Sequence, residues 1–549
     1  LFFQVVKGQV AGFVVKQYIN EIKEKYQSLP QVVEYLDQVR VDIITNIVDF
    51  LGGVEKEQQK PNARPDRSSH FKRYKVNVVV DNTYLKGGPV IYETNPTYNN
   101  LFGRIEKYSE FGTYVTDFTM IKAGSLLKAN GGYLITDAYQ LLKNPFVYEA
   151  LKRAVRNQEI RIEDVAELYG LAPVSTLKPE PIPLNVKVVL IGWPNLYYLL
   201  QAYDNDFSRI FKVRADFDNE TDFTDQTIRH YAQFIKRFVD EEKLLPFSRN
   251  GVREIIYYGN RLVDDQKKLS LEFGSLARII RESTYWAIKN KATVVGEEHV
   301  KQAIKEYEYR HSLIEEKIQE MIERDIYKIV VTGSEVGQIN GLSVYLLGEY
   351  PFGRPTRITA KTYIGNENVV QIERKARLSG KIHDKGVLLL SGFFNWKFGE
   401  YVPLSFSASI AFEQSYSMID GDSASSTELY ALISSLSGVP IKQGIAVTGS
   451  VNQNGEIQAI GGVNQKIEGF FKVCQKKGLT GEQGVIIPHS NVDHLMLKDE
   501  VLEAVRKGKF HIWAIDTIDD GLKILTGLET GQRNKKGKFP KNTLYYKVE

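Results

Sequence analysis

Residues 420–440 read DGDSASSTELYALISSLSGVP and residues 443–478 read QGIAVTGSVNQNGEIQAIGGVNQKIEGFFKVCQKKG. The first stretch makes a turn at Asp420-Gly421, begins a helix around Ser423 and stops at Gly438, two residues before Pro440. The second reads as a strand, a turn at Asn454-Gly455, a second strand, a break at Gly461-Gly462 and a helix over 463–477 closed by Gly478. Strands and helices alternating without a strict βαβ repeat predict an α+β domain around these segments.

Ser423 then falls at a helix N-terminus. Unpaired backbone N–H groups and the positive end of the dipole can hold a developing oxyanion there, and Ala424, Ser425 and Ser426 leave room for a peptide. Serines also start helices simply as caps, and Ser425 with Glu428 has the spacing of a capping box. Lys466 lies in the first turn of the second helix, where a cation opposes the macrodipole at a cost of about 0.3–1 kcal/mol. A catalytic lysine must be neutral near pH 7, and burial at a helix start lowers its pKa from about 10.4. The competing reading is a lysine on a solvated face. Taken together, a helix-start serine and an oddly placed lysine 43 residues later suggest a Ser–Lys dyad.

Outward from this pair, strands are expected near 326–331, 341–348, 356–361, 369–373 and 445–450, with helices near 375–394, 399–416, 423–437 and 464–477. This α+β domain spans 323–530, and the basic tail 531–549 reads as a solvated terminus. Residues 222–308 carry helical periodicity without a strand signal, and a helical domain is expected over 222–322. Residues 56–221 hold strand-like runs at 74–82, 131–138 and 186–193 between helical patterns such as 147–158, which predicts a mainly parallel sheet covered on both faces. Residues 1–55 form a helical arm divided at Pro30, and the polar stretch 56–70 is a linker or loop.

Composition narrows the function. The 549 residues predict three or four domains, and 71 basic against 67 acidic side chains are too balanced for a nucleic-acid binder by bulk electrostatics. The single cysteine, Cys474, excludes an internal disulfide and a cysteine-rich metal site and suits a reducing, cytoplasmic setting. Apolar runs are too short to cross a bilayer, so a soluble protein is expected. The opening LFFQVVKGQV has no initiator Met and suits a fragment of a longer protein. His489 and His494 are five apart and no HExxH occurs, which argues against a metalloprotease. No G-x-S-x-G elbow occurs either.

Gly421-Asp-Ser-Ala424, Val447-Thr-Gly449 and Ala459-Ile-Gly-Gly-Val-Asn-Gln-Lys466 resemble, in order and spacing, the proteolytic domain of the Lon family, from about residue 325 to 527. PTYNNLFGRIE at 96–106, KANGGYLITDAYQLL at 128–142 and ALKRAVRNQEIRIE at 150–163 resemble the AAA+ module of its LonB and LonC-like branch. The resemblance implies a multidomain protein: an α/β AAA+-like core with helical arm and helical lid, followed by an α+β Lon-type Ser–Lys protease domain. It implies Ser423 as nucleophile and Lys466 as general base, with Thr448 bonding the lysine amine and Asp422 orienting it. Many family members have Pro where this chain has Asp422. Glu413 is a weaker candidate for shaping the site.

A P-loop, G-x-x-x-x-G-K-[ST], is absent. Tyr133-Leu-Ile-Thr-Asp137 resembles a Walker B strand, but Ala138 stands in place of the usual glutamate, and Asp137 can serve as a plain strand-end cap. Trp193 occupies the place of a polar sensor, while Arg209 and Arg278 read as surface cations rather than an arginine finger. Two readings stay open: an ATP-independent LonC-like protease that needs no cofactor, or a fragment of an ATP-dependent Lon whose P-loop lies upstream. The family further implies a cytoplasmic homohexamer acting on unfolded protein substrates, with no membrane or nucleic-acid partner. Phe111 and Tyr114 are the substrate-pore candidates. A different class, a non-proteolytic remodelling or binding scaffold on the same fold, is set against the intact serine and lysine.

Overall fold

The computed structural model describes residues 2–50, 71–110, 113–163, 177–348, 350–365, 368–400 and 404–549. The chain divides into two compact units, Leu1–Ala215 and Asp216–Glu549.

In the first unit, helices Phe2–Lys25 and Pro30–Thr45 pair as a hairpin, with Pro30 at the first turn of the second, where its missing N–H costs nothing. Three parallel strands follow in the order Val90–Glu93, Tyr133–Asp137, Lys187–Ile191. One face packs Leu134 against Leu101, Leu141 and Leu151, the last from the amphipathic helix Val147–Asn157. Two expectations are corrected here. Among the described residues the sheet is covered on one face only, because Tyr92, Tyr133, Val189 and Ile191 on the other are 61, 42, 42 and 51% exposed. The run 74–82 joins no sheet: Tyr74 ends a short 3-10 turn, and over 75–82 the chain is held by Asn77 Nδ2 donating to the carbonyls of Phe118 and Ile121 at 2.9 and 3.1 Å.

The second unit opens with helices Asp225–Glu241, Arg249–Val263, Phe273–Lys289 and Glu297–His311 around Ile255, Leu276, Ile280 and Val300, followed by helix Leu313–Glu323, which buries Ile322 in the core beside helix Val463–Lys477. A two-stranded ribbon, Glu220–Asp222 with Lys268–Ser270, departs from the strand-free expectation for this stretch. Three-residue strands are too short to leave a period-2 signal among long helices.

Beyond it lies a seven-stranded mixed sheet in the order Asn368–Gln371, Phe406–Phe412, Tyr350–Ile364, Gln338–Leu347, Ile445–Val447, Gly484–Pro488, His511–Ile515. The expected helix at 399–416 is instead, over Phe406–Phe412, a strand paired on both sides. Ala408, Ile410 and Phe412 alternate inward, a period of two that the small Ser and Ala residues disguise. The helix expected over 375–394 runs from Lys381 to Gly399. The stretch 326–331 is not a strand. Side chains satisfy its backbone, with Asn340 Nδ2 donating to Val330 O at 2.7 Å and Gln414 Nε2 to Ile326 O at 2.7 Å. The tail is not simply solvated: its lysines are exposed, but Phe539, Leu544 and Tyr545 are buried in the main core, packed on Phe398.

Candidate active site

Alternation along the central strands sends Val447 and Ile486 to one face of the sheet and Ala446, Val485 and Ile487 to the other. Helix Ser425–Ser437 packs on the first face through Leu429, Leu432 and Ile433, and helix Val463–Lys477 on the second through Ile467, Phe470 and Cys474. The two helix starts come together just beyond Val447, where the strand ends at Thr448-Gly449. Gly449 N–H donates to Ser423 O at 2.8 Å, and Gly449 O accepts from the Ser426 backbone and hydroxyl at 3.2 and 2.7 Å. The nucleophile candidate is therefore tied by its own backbone to the end of the central strand.

Lys466 Nζ lies 3.0 Å from Ser423 Oγ and 3.2 Å from Thr448 Oγ1, and the Thr448 hydroxyl donates to Ser423 O at 3.3 Å. The lysine is 3% exposed. Burial pulls its pKa down to about 8, against the opposing pull of the Asp422 charge. Once neutral, the amine presents a lone pair within reach of the serine proton. Ser423 is half-buried, and no backbone carbonyl among the described residues accepts from the N–H of Ser423 or Ala424. These two N–H groups, of the serine and its neighbour, are the candidate oxyanion donors.

The capping reading of this helix is overturned. Its N-cap is Ala424, without a side-chain cap, and Ser425 Oγ instead accepts from Val451 N–H at 3.0 Å. Glu428 points into the core, fully buried, where burial pushes its pKa up to about 8. Asp422 does not make the expected contact with the lysine. Its carboxylate accepts from Ser450 Oγ at 2.9 Å, and no hydrogen bond or ion pair joins it to Lys466. Its influence on the amine is that of a nearby charge. Glu413 accepts from Thr359 Oγ1 at 2.7 Å, on the hairpin rather than at the serine.

Sequence reasoning passed over Asp420 and His383. The Asp420 carboxylate accepts from the backbone of Ile382, His383 and Gly421 at 3.1, 3.2 and 2.9 Å, and His383 Nδ1 donates to Gly421 O at 3.3 Å. These bonds shape the loop that leads into Ser423. The Asp-Gly-Asp string carries a signal for this, since a turn aspartate commonly binds neighbouring backbone N–H groups.

In the first unit Tyr114 is 81% exposed on strand Thr113–Val115, and Phe111 lies outside the described residues. Asp137 accepts from Gln140 N–H at 2.7 Å as the N-cap of helix Ala138–Lys143. Trp193 precedes Pro194 at a helix start and lies against the Tyr139 ring, with 5.2 Å between centroids. Arg209 lies 3.8 Å from Asp206 and is largely exposed, and in the second unit Arg278 stands over the Tyr307 ring. Among the described residues, Asp137 engaged as a cap, Ala138 beside it and Trp193 at the next helix start offer no free carboxylate for a Mg-nucleotide at this strand end. Among the described residues no group of His, Cys, Asp and Glu could hold a metal ion, and no helix is long and apolar enough to cross a membrane.

Comparison with known proteins agrees with this architecture. Residues 86–218 match the family described as LonB-like, AAA domain, residues 246–310 the archaeal LonB AAA+ ATPase LID domain, and residues 415–527 the Lon protease (S16) C-terminal proteolytic domain. A putative Lon protease homolog of Escherichia coli strain K12 is 34% identical over 464 residues, covering 84% of this chain and 77% of that protein. A second putative Lon protease homolog, from Haemophilus influenzae, is 34% identical over 427 residues, 75% of this chain and 68% of its own. An archaeal Lon protease of Archaeoglobus fulgidus is 27% identical over 469 residues, 84% and 71% of the two chains. An AAA-like domain followed by a Lon-type proteolytic domain, at this level of identity, places the chain in the Lon protease family.

Proposed function

We propose that this chain is a serine endopeptidase in which Ser423 and Lys466 form the catalytic dyad. Neutral Lys466 takes the hydroxyl proton as Ser423 Oγ attacks the scissile carbonyl carbon, and the N–H groups of Ser423 and Ala424 receive the negative charge that develops on its oxygen. Collapse breaks the C–N bond, and Lys466 returns the proton to the departing amine. Water, deprotonated in turn by Lys466, then cleaves the Ser423 ester and frees the carboxylate product and the serine. Thr448 holds the amine on the serine side. Residues 1–55 serve as arm, 56–221 as an AAA+-like module, 222–322 as lid and 323–530 as protease domain.

The substrates in this reading are unfolded or damaged polypeptides, taken up by a cytoplasmic homohexamer past exposed aromatics such as Tyr114. The observation that supports the reading is the 3.0 Å contact between a half-buried serine hydroxyl and a buried lysine whose pKa is lowered to about 8. Casein degradation tests it: Ser423→Ala is expected to remove the activity, and a mutant rate equal to wild type overturns the assignment. With no P-loop string in this sequence and Asp137 engaged as a cap beside Ala138, the wild-type rate is expected to be the same with and without Mg-ATP.

The Asp422 charge makes a distinct pH prediction. It holds the Lys466 pKa up against burial, so Asp422→Asn lowers that pKa further and leaves more of the amine neutral at a given pH. The rising limb of kcat/KM against pH is expected to move to lower pH, while asparagine keeps an acceptor for Ser450. A limb that stays in place or moves to higher pH refutes the assignment of Lys466 as the base.

A further inference from the structure

Lys466 can serve as base only while its helix start stays in place. That start has no side-chain cap of its own: the N-cap is Gly462, at φ +65°, and Lys466 N–H donates to Gly462 O at 3.1 Å. The side chains that hold it come from helix Arg249–Val263. At that helix's C-cap, Asp264 accepts from Asn464 Nδ2 through Oδ1 at 2.9 Å and from Gln465 Nε2 through Oδ2 at 3.2 Å. These are the two residues immediately before Lys466. One turn further on, Arg261 makes a forked ion pair with Glu468, both bonds at 2.8 Å, and donates to Met496 O at 2.5 Å.

Both grips are built rather than incidental. Asn464 is fully buried and fixed from two further sides, donating to His494 O at 2.8 Å and accepting from Met496 N–H at 2.7 Å. Glu468 also accepts from Lys498 N–H at 3.0 Å. Beside them a cavity of about 510 Å³ separates the two parts of this unit, lined by Tyr258, Tyr307, Tyr350, Gln465 and Lys472 among others. Close packing is interrupted here, so polar side chains bridge the gap. Asp264 carries a carboxylate to the positive end of the lysine's helix, where negative charge is favourable.

We propose that Asp264, supported by Arg261, is a positioning residue for peptide hydrolysis: helix Arg249–Val263 sets the seat of Lys466 through Asn464, Gln465 and Glu468. The inference rests on the dyad reading above and extends it. A movement of this helix is transmitted to the base, so the helical region regulates hydrolysis without touching substrate.

The test compares Ser423→Ala, Asp264→Ala and Asp264→Asn in steady-state casein hydrolysis with the full chain. Displacement of a catalytic group by a fraction of an ångström to 1 Å costs about ten- to a hundredfold in rate, so Asp264→Ala is expected to lower kcat by about tenfold or more with KM unchanged. Asp264→Asn is expected to restore most of it. Its amide oxygen can accept from Asn464, and its NH2 can donate to Gln465 Oε1, which is now buried without a partner. A wild-type kcat in Asp264→Ala, a loss confined to KM, or no recovery in Asp264→Asn overturns the proposal. Should Asp264→Ala fail to fold, Gln465→Met removes one donor from the same carboxylate and is expected to lower kcat likewise, a wild-type kcat there overturning it. Loss of activity in Ser423→Ala with normal turnover in Asp264→Ala sinks the positioning role alone. Full activity in Ser423→Ala sinks the dyad, and this proposal with it.

Discussion

Lys466→Met is expected to abolish casein hydrolysis and to raise the melting temperature at pH 7. On the catalytic side, removing a base that acts as a unit with its nucleophile costs on the order of 10³- to 10⁶-fold in kcat. On the stability side, Lys466 is 3% exposed and its pKa falls from 10.5 to about 8 through burial. At about 1.36 kcal/mol per unit, holding the protonated amine in the folded chain at pH 7 costs about 3 kcal/mol. Methionine fills a similar volume without that penalty but gives up the bonds to Ser423 and Thr448, worth about 1 kcal/mol each. The net gain is about 1–2 kcal/mol, or about 1–3 °C for a unit of this size.

The sign of the pH dependence follows from linkage. The folded pKa lies below the unfolded one, so between about 8 and 10.5 the unfolded chain binds more protons and wild-type stability rises with pH. The advantage of the methionine variant is therefore full below about pH 8 and fades as pH approaches 10.5. Thermal melts of both proteins from pH 6 to 10 check this. A variant that is less stable at pH 7, with a difference independent of pH, contradicts a lysine of lowered pKa.

The second large effect comes from a residue outside the dyad. A Cβ on Gly353 would lie 1.8 Å from Gln465 O and 2.7 Å from Lys466 N, and one on Gly469 would lie 2.1 Å from Gly353 O. The lysine's helix thus rests backbone to backbone on strand Tyr350–Ile364. Real Cβ contacts do not fall below 3.0 Å, and the opposing atoms are main chain, which cannot rotate away. Gly353→Ala must push the helix outward. Overpacking of this kind costs about 3 kcal/mol or more, and the displaced base loses about a hundredfold in kcat. Denaturant unfolding and casein hydrolysis measure both quantities, and a variant with wild-type turnover rules out this account of the packing.

How much of this is legible in the sequence depends on whether the signal is local. Gly438 and Gly478 end their helices in the text as in the structure, since glycine accepts backbone angles that other residues resist. Tyr133–Asp137 and Lys187–Ile191 announce themselves by β-branched and apolar runs. Phe406–Phe412 does not, because alternating Ser and Ala are compatible with either period. The polar bonds that stand in for a ladder at 326–331 depend on Asn340 and Gln414, remote in sequence. The serine and lysine can be singled out individually from helix-start chemistry, but no local pattern dictates that two helices on opposite faces of one sheet begin at the same strand end. Asp264 is invisible for the same reason: it lies 202 residues before Lys466 and acts through the two residues in front of it.

The closing segment has a practical consequence for protein engineering. Phe539, Leu544 and Tyr545 act as a stopper in the base of the seven-stranded sheet, wedged against Phe398 beneath the serine's helix. The match to the proteolytic family ends at residue 527, so trimming the gene at that textual boundary uncorks an aromatic-lined hole. Expression clones shortened there should yield inclusion bodies, whereas a purification tag fused after Glu549, which is exposed, leaves the plug seated.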